Sequence, residues 1–145
     1  MTQAERERLV APCGIDCGIC ELQGANARPE RIEAMVARGI PREKLPCKGC
    51  RNIDGNCPVI QGQCATYACA SQHAVEFCFQ CAQFPCVRLH PSADRADVLP
   101  HNLKVYNLSA IHRDGLGAFI QASAEIQKRY YKGKMAVGKG PQLPA

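Results

Sequence analysis

Cys13-Gly14-Ile15-Asp16-Cys17-Gly18-Ile19-Cys20 places three thiols within eight residues, and how that stretch is read decides the architecture of the whole chain. Cysteine this dense serves either a disulfide framework or a metal. The 145 residues hold 11 cysteines, an odd number that internal pairing cannot use up. Cys17/Cys20, Cys47/Cys50 and Cys78/Cys81 are C-x2-C pairs, a spacing that suits two thiolates on one ion and rarely closes a local disulfide. Residues 1–8 alternate charges where a secretory leader needs an apolar run, and no segment is long and apolar enough to span a bilayer. The expectation is a cytoplasmic protein, without a membrane segment, whose reduced thiols bind metal.

A C-x2-C turn works as a clamp because it aims both sulfurs inward while backbone N–H groups bond the thiolates and ease their buried charge. Glycine helps that turn in Cys17-Gly18-Ile19-Cys20 and Cys47-Lys48-Gly49-Cys50; Cys78-Phe79-Gln80-Cys81 lacks it. The expected ligands are Cys13, Cys17, Cys20, Cys47, Cys50, Cys64, Cys69, Cys78, Cys81 and Cys86, enough for two zinc ions in thiolate sites. Cys57 is the weakest candidate. Eight cysteines would fill two four-ligand centres and leave three spare. Which cysteines share an ion is open at this level, interleaved and sequential sites alike. Four thiolates on a divalent ion carry a double negative charge, so two centres would bring the formal charge of +5 down to about +1. The alternative to zinc is a [4Fe-4S] cluster on Cys13, Cys17 and Cys20.

Composition divides the chain at Cys86, the last cysteine. With no tryptophan and 6% aromatic residues, the first ninety residues are expected to take stability from metal ligation. Thr2-Gln3-Ala4-Glu5 reads as a capping box. Pro29, the spacing of Ile32, Met35 and Val36, and the stop at Gly39 predict a helix of about ten residues. Residues 40–81 have no sustained period and are expected to be irregular. Pro85 is expected to open a short helix through His90, and Ala93, Ala96 and Val98 a further piece between Pro91 and Pro100. Residues 101–113 form a helix with Leu103, Val105, Tyr106, Leu108 and Ile111 apolar, stopping at Gly115. Residues 116–131 follow, with Leu116, Phe119, Ile120, Ser123, Ile126 and Tyr130 on one face. The reading is one domain over 1–145, mainly α with irregular loops. A metal-stapled, zinc-knuckle-like half (1–92) packs against a C-terminal helical hairpin (93–131), with a flexible basic tail or surface strap at 132–145.

Two resemblances bear on function. C-x3-C-x2-C is the spacing by which radical S-adenosylmethionine enzymes hold a four-iron cluster, but it covers eight residues and the chain lacks the strand patterns of their barrel. The wider pattern is more specific. Cys13-Gly14-Ile15-Asp16-Cys17, Cys47-Lys48-Gly49-Cys50, Cys64-Ala65-Thr66-Tyr67-Ala68-Cys69-Ala70, Glu76-Phe77-Cys78-Phe79-Gln80-Cys81 and Phe84-Pro85-Cys86 resemble in order the motifs of the family called domain of unknown function 3795. That group comprises small cysteine-rich proteins of bacteria and archaea, many of them anaerobes. The resemblance, over about residues 11–89, implies metal binding, often held to be zinc, with no assigned activity. The chain departs from it between Cys57 and Cys64, where the family has a tighter pair.

The remaining polar residues point to no chemistry. Cys69 and His73, and Cys86 and His90, are four apart and would share a helix face, but the simpler reading is exposed or capping histidines. His101 and His112 are too far apart along a helix to hold one ion. Asp16 reads first as a turn cap. Arg6, Arg8, Arg28, Arg31, Arg38, Arg42, Lys44, Lys48 and Arg51 are interspersed with glutamates and lack aromatic interleaving, so nucleic acid is not expected. The function expected is a metal-scaffolded module for an unknown protein partner, without catalysis of its own. The alternative is an iron–sulfur protein with a redox or ligand-binding role in anaerobic metabolism. A third class, a thiol reservoir that buffers soft metals, would need exchangeable exposed thiols.

Overall fold

A computed structural model describes residues 1–91 and 100–144. The piece expected around Ala93, Ala96 and Val98 lies outside the described residues. Helix α1 (Gln3–Glu7) starts on the capping box: Glu5 N–H donates to Thr2 Oγ1 at 3.2 Å and Thr2 N–H to the Glu5 carboxylate at 2.7 Å. Helix α2 (Pro29–Ala37) begins on its proline, buries Met35 and stops before Gly39, as the pattern predicts. Helix α3 (Ala65–Gln72) corrects the expectation of irregular chain across 40–81. Its buried residues are Thr66 and Ala70, four apart and small, a stripe too narrow to register as a hydrophobic period.

The C-terminal helices are α4 (Lys104–Asp114), entered through a three-ten turn at Pro100–Leu103, and α5 (Leu116–Lys132). They pack together as the expected pair. Gly115 joins them at φ +84° and ψ +161°, a conformation that only glycine takes without strain. On α5 the expected face holds: Phe119 and Ser123 are buried, and Leu116, Ile120 and Ile126 pack at the core margin. On α4 it does not. Lys104, Asn107, Leu108, Ala110 and Ile111 are buried, whereas Tyr106 is 60% exposed. The helix is turned because two polar side chains bind backbone of the cysteine-rich half. Asn107 Nδ2 donates to the Gly14 carbonyl at 2.9 Å, and Lys104 Nζ to the Arg88 carbonyl at 3.3 Å.

The helix expected from Pro85 is a single three-ten turn, Val87–Leu89, entered from an extended Cys86 and burying Leu89. Residues 132–145 carry a short antiparallel hairpin, β1 (Lys134–Ala136) with β2 (Gly140–Gln142), in which Met135 faces Pro141.

One core joins the two halves. Val10, Phe77 and Leu89 of the cysteine-rich half meet Leu108, Ala110 and Ile111 of α4 and Phe119 of α5. Cys13, Cys78 and Cys86 line its edge. A smaller cluster of Leu22, Met35 and Cys47 lies within the cysteine-rich half, with Cys20, Ile53 and Val59 packed against it. No helix among the described residues is long and apolar enough to cross a membrane.

Candidate metal centre

Backbone pairing draws the cysteine segments together. Residues 9–17 fold into a loop closed by hydrogen bonds from Ala11 N–H to the Ile15 carbonyl (2.9 Å) and from Cys17 N–H to the Leu9 carbonyl (2.8 Å). The first clamp turns through a three-ten helix at Cys17–Ile19, with Cys20 N–H bonding back to the Cys17 carbonyl at 3.1 Å. The second clamp lies on the chain just after the first: Cys47 N–H donates to the Leu22 carbonyl at 2.7 Å, and Gly24 N–H to the Cys47 carbonyl at 3.0 Å. The third meets the opening loop, where Cys78 N–H donates to the Pro12 carbonyl at 2.9 Å. All eleven cysteines are unbridged; Cys47 is buried and the others are half-buried.

The clamp chemistry expected from sequence is visible at the second pair, where Gly49 N–H points at Cys47 Sγ, 3.4 Å away. Gly49 holds φ at +91°, and a Cβ there would lie 2.6 Å from Leu9 Cδ2, with Cys17 Cβ next at 3.7 Å. Gly49→Ala therefore forces the turn away from Leu9 and Cys17. We expect a loss of about 1–3 kcal/mol in stability from the backbone conformation alone, checked by denaturant titration.

Burial pushes the thiols up, and the charge of other thiolates adds to the rise. Cys17 is raised to about 12 by burial and by the thiols of Cys13, Cys20 and Cys47, opposed by the Cys50 N–H. Cys50 is raised by burial and then by Cys17, Cys13, Cys64 and Cys57 in that order. Burial raises Cys57 to about 11, with Cys47, Cys20 and Cys64 beside it. Cys78 rises to about 12 from burial and the thiols of Cys13, Cys86, Cys69 and Cys81. Cys13 is raised by burial, with the Lys104 ammonium acting against it, and Cys47 by burial, with the Gly49 N–H opposing. Such thiols stay protonated at neutral pH unless a cation replaces the proton, so metal uptake here would release protons. Among the described residues no group of three His, Cys, Asp or Glu side chains is arranged so as to hold a metal ion. The thiols are gathered as neighbours, not set as a finished coordination sphere.

Of the histidines whose side chains are described, His73 approaches a cysteine. His73 ends α3 with Nδ1 2.9 Å from the Cys69 carbonyl oxygen and 3.7 Å from Cys69 Sγ, a capping position, and it is exposed. His90 is exposed, and His112 meets the Phe79 ring edge-on at 5.2 Å.

Long-range contacts that hold these segments together were not legible in the sequence. Asp16 caps the first clamp through Gly18 N–H (2.8 Å), as its spacing suggests, but it also takes a two-pronged ion pair from Arg6 at 2.9 and 2.5 Å and a hydrogen bond from Ser123 Oγ of α5 at 2.7 Å. Gly18 leaves room for that pair, since a Cβ there would stand 2.5 Å from Arg6 Nη1. Arg51, directly after the second clamp, donates to the Val10 carbonyl at 2.7 Å and the Glu76 carbonyl at 2.6 Å, with its guanidinium 4.9 Å from the Phe77 ring centre. It straps the first and third cysteine segments across the second. Nothing in a one-dimensional pattern announces carbonyl acceptors 41 and 25 residues away.

Other basic residues are engaged at the surface: Arg31 pairs with Glu21 at 2.8 Å, and Arg42 with Glu33. An open groove of about 880 Å³ runs beside α2, with Ile19, Asn26, Arg28 and the Arg31–Glu21 pair in its walls.

Residues 9–91 match the family model described as "Protein of unknown function (DUF3795)". No curated protein and no solved structure matches the chain.

Proposed function

The chain belongs to the DUF3795 family, and from that premise we propose that it is a metal-binding protein in which zinc, held by cysteine thiolates, staples residues 1–92 into the platform on which α4 and α5 sit. The observation that carries this reading is a set of eleven unbridged cysteines, Cys47 buried and the others half-buried, whose segments are drawn together by the backbone bonds Cys17–Leu9, Cys47–Leu22 and Cys78–Pro12. Buried thiols with other thiols for neighbours suit a borderline-soft divalent cation, which offsets both the burial and the mutual repulsion of the thiolates. Four-thiolate centres leave the metal no open position, so the role is structural, and the protein's work is to present a surface to a protein partner. Two ions account for eight cysteines.

A second reading is favoured by one observation. The three-ten turn at Cys17–Ile19 folds Cys20 back on Cys17, with Cys20 N–H on the Cys17 carbonyl at 3.1 Å, directly after the loop that carries Cys13, and these are the three residues that would hold a [4Fe-4S] cluster.

Cobalt tests the thiolate reading, and iron and acid-labile sulfide in protein purified without oxygen separate the two. Loading the metal-free protein with Co(II) is expected to produce the intense visible ligand-field bands of tetrahedral cobalt thiolate, saturating at two ions per chain and bleaching when zinc is added. Weak, octahedral-type spectra would sink the thiolate reading.

A further inference from the structure

We propose that the hairpin after α5 is a docking surface for an anionic lipid bilayer: Val137 and Met135 enter the interface, and Lys132, Lys134 and Lys139 meet the lipid headgroups. Such docking is independent of whether the cysteines hold zinc, and it needs no spanning helix.

Charge singles out this end of the chain. Residues 1–125 hold 13 of the 18 basic side chains and all 13 acidic ones, so they balance. The whole formal charge of +5 therefore falls on Lys128, Arg129, Lys132, Lys134 and Lys139, with no carboxylate side chain after Glu125. Arg129 pairs with Glu125 at 3.2 Å and points Nη1 at the Pro141 carbonyl, 3.5 Å away. Lys132, Lys134 and Lys139 are exposed, and none of them meets a carboxylate among the described residues.

The backbone sets these lysines around an apolar tip. Gly133 N–H donates to the Arg129 carbonyl at 2.8 Å, and a Cβ on Gly133 would stand 2.6 Å from Pro141 Cβ, so β2 is folded back against the end of α5. Lys139 N–H closes the turn on the Ala136 carbonyl at 3.0 Å, with Gly138 at φ +75°, which puts Val137 at the corner. Gln142 Nε2 holds the return strand by donating to the Lys139 carbonyl at 2.7 Å. Val137 is 105% exposed and Met135 79%, so neither side chain takes part in the core.

Exposed aliphatic side chains ringed by cations fit a lipid surface better than nucleic acid. Valine and methionine do not stack on bases as aromatic rings do, but they enter the boundary between headgroups and acyl chains. The lysines beside them gain from the negative potential of an anionic leaflet. Tyr131, half-exposed at the root of the hairpin, has the amphipathic ring that settles at headgroup level.

Sedimentation of the full chain with vesicles tests this. Phosphatidylcholine vesicles containing phosphatidylglycerol are expected to bind it at least about tenfold more tightly than phosphatidylcholine alone, and added salt should weaken the binding. Lys134→Ala/Lys139→Ala should lower the partition by roughly 25-fold, about fivefold per lysine. Met135→Ser/Val137→Ser keeps the charge and should lower it by about tenfold. The chain has no tryptophan, so Val137→Trp places a single fluorophore at the corner, and its emission should shift to the blue on anionic vesicles. All these positions are exposed, so circular dichroism should stay native, and the comparison of the two vesicles on the native chain needs no variant. Equal partition onto neutral and anionic vesicles would overturn the proposal. So would native-like binding by Met135→Ser/Val137→Ser, because charge alone would then account for it. Tighter binding of an oligonucleotide than of anionic vesicles would overturn it in favour of nucleic acid. None of these outcomes alters the metal reading.

Discussion

Withdrawal of the proposed zinc by a chelator, without denaturant, is expected to unfold both halves of this protein, and restoring zinc to refold them. Structural zinc contributes about 10–16 kcal/mol of binding free energy in small thiolate domains, against a net stability of about 5–15 kcal/mol for a typical fold, so its loss exceeds what the remaining contacts supply. The collapse spreads because the main core is shared. Val10, Phe77 and Leu89, positioned by the cysteine segments, are half of the apolar surface on which Leu108, Ile111 and Phe119 rest. Without them α4 and α5 are a two-helix hairpin of 11 and 17 residues, lengths at which isolated helices are marginal in water. Far-ultraviolet circular dichroism should lose most of its helical signal, and amide proton dispersion should collapse for residues of α5 as well as of the cysteine loops. A metal-free chain that keeps dispersed amide signals through residues 9–91 would show that the fold does not need the ion.

The second large effect is expected at Asp16, which is 4% exposed and ties α1 and the first clamp to α5, 107 residues along the chain. Its carboxylate receives Arg6 from α1, Gly18 N–H from the first clamp and Ser123 from α5. Asp16→Ala strands an Arg6 side chain that is only 16% exposed and removes the turn cap together with the tether to α5. Breaking one side of a buried ion pair costs about 3–5 kcal/mol, so the denaturant midpoint should fall by a large part of the protein's total stability. Asp16→Asn keeps an oxygen to accept from Gly18 N–H, with its amide N–H turned to donate to Ser123 Oγ, and should lose less. In an Arg6→Met background the further effect of Asp16→Ala should shrink, because no charge is then left unpaired. A midpoint shift worth under 1 kcal/mol for Asp16→Ala would mean that the ion pair contributes little.

What the sequence could say about this fold depended on periodicity and punctuation. The Thr2/Glu5 box, the Pro29 start and the Gly115 break are local signals and give α1, α2 and the α4–α5 junction close to where they lie. The apolar face of α5 was legible because Phe119, Ile120 and Ile126 pack directly on the core. On α4 the pattern gave Leu108 and Ile111 but not Lys104 and Asn107, which are drawn inward by the Arg88 and Gly14 carbonyls, partners that a hydrophobic pattern does not weigh, nor the exposure of Tyr106. α3 escaped because its buried stripe is Thr66 and Ala70. At the site, spacing named the cysteines as candidates but not which of them lie together. The neighbours of Cys50 are set by Gly49 against Leu9, by Gly55 and by the Arg51 strap, all contacts between distant segments.

The measurement that tests the central claim most directly is the metal and acid-labile sulfide content of the full chain purified without oxygen, with its visible spectrum recorded on the same sample. The account predicts two tightly held zinc ions per chain, no sulfide and no colour. A brown protein containing iron and sulfide, or a folded chain with no metal at all, would contradict it.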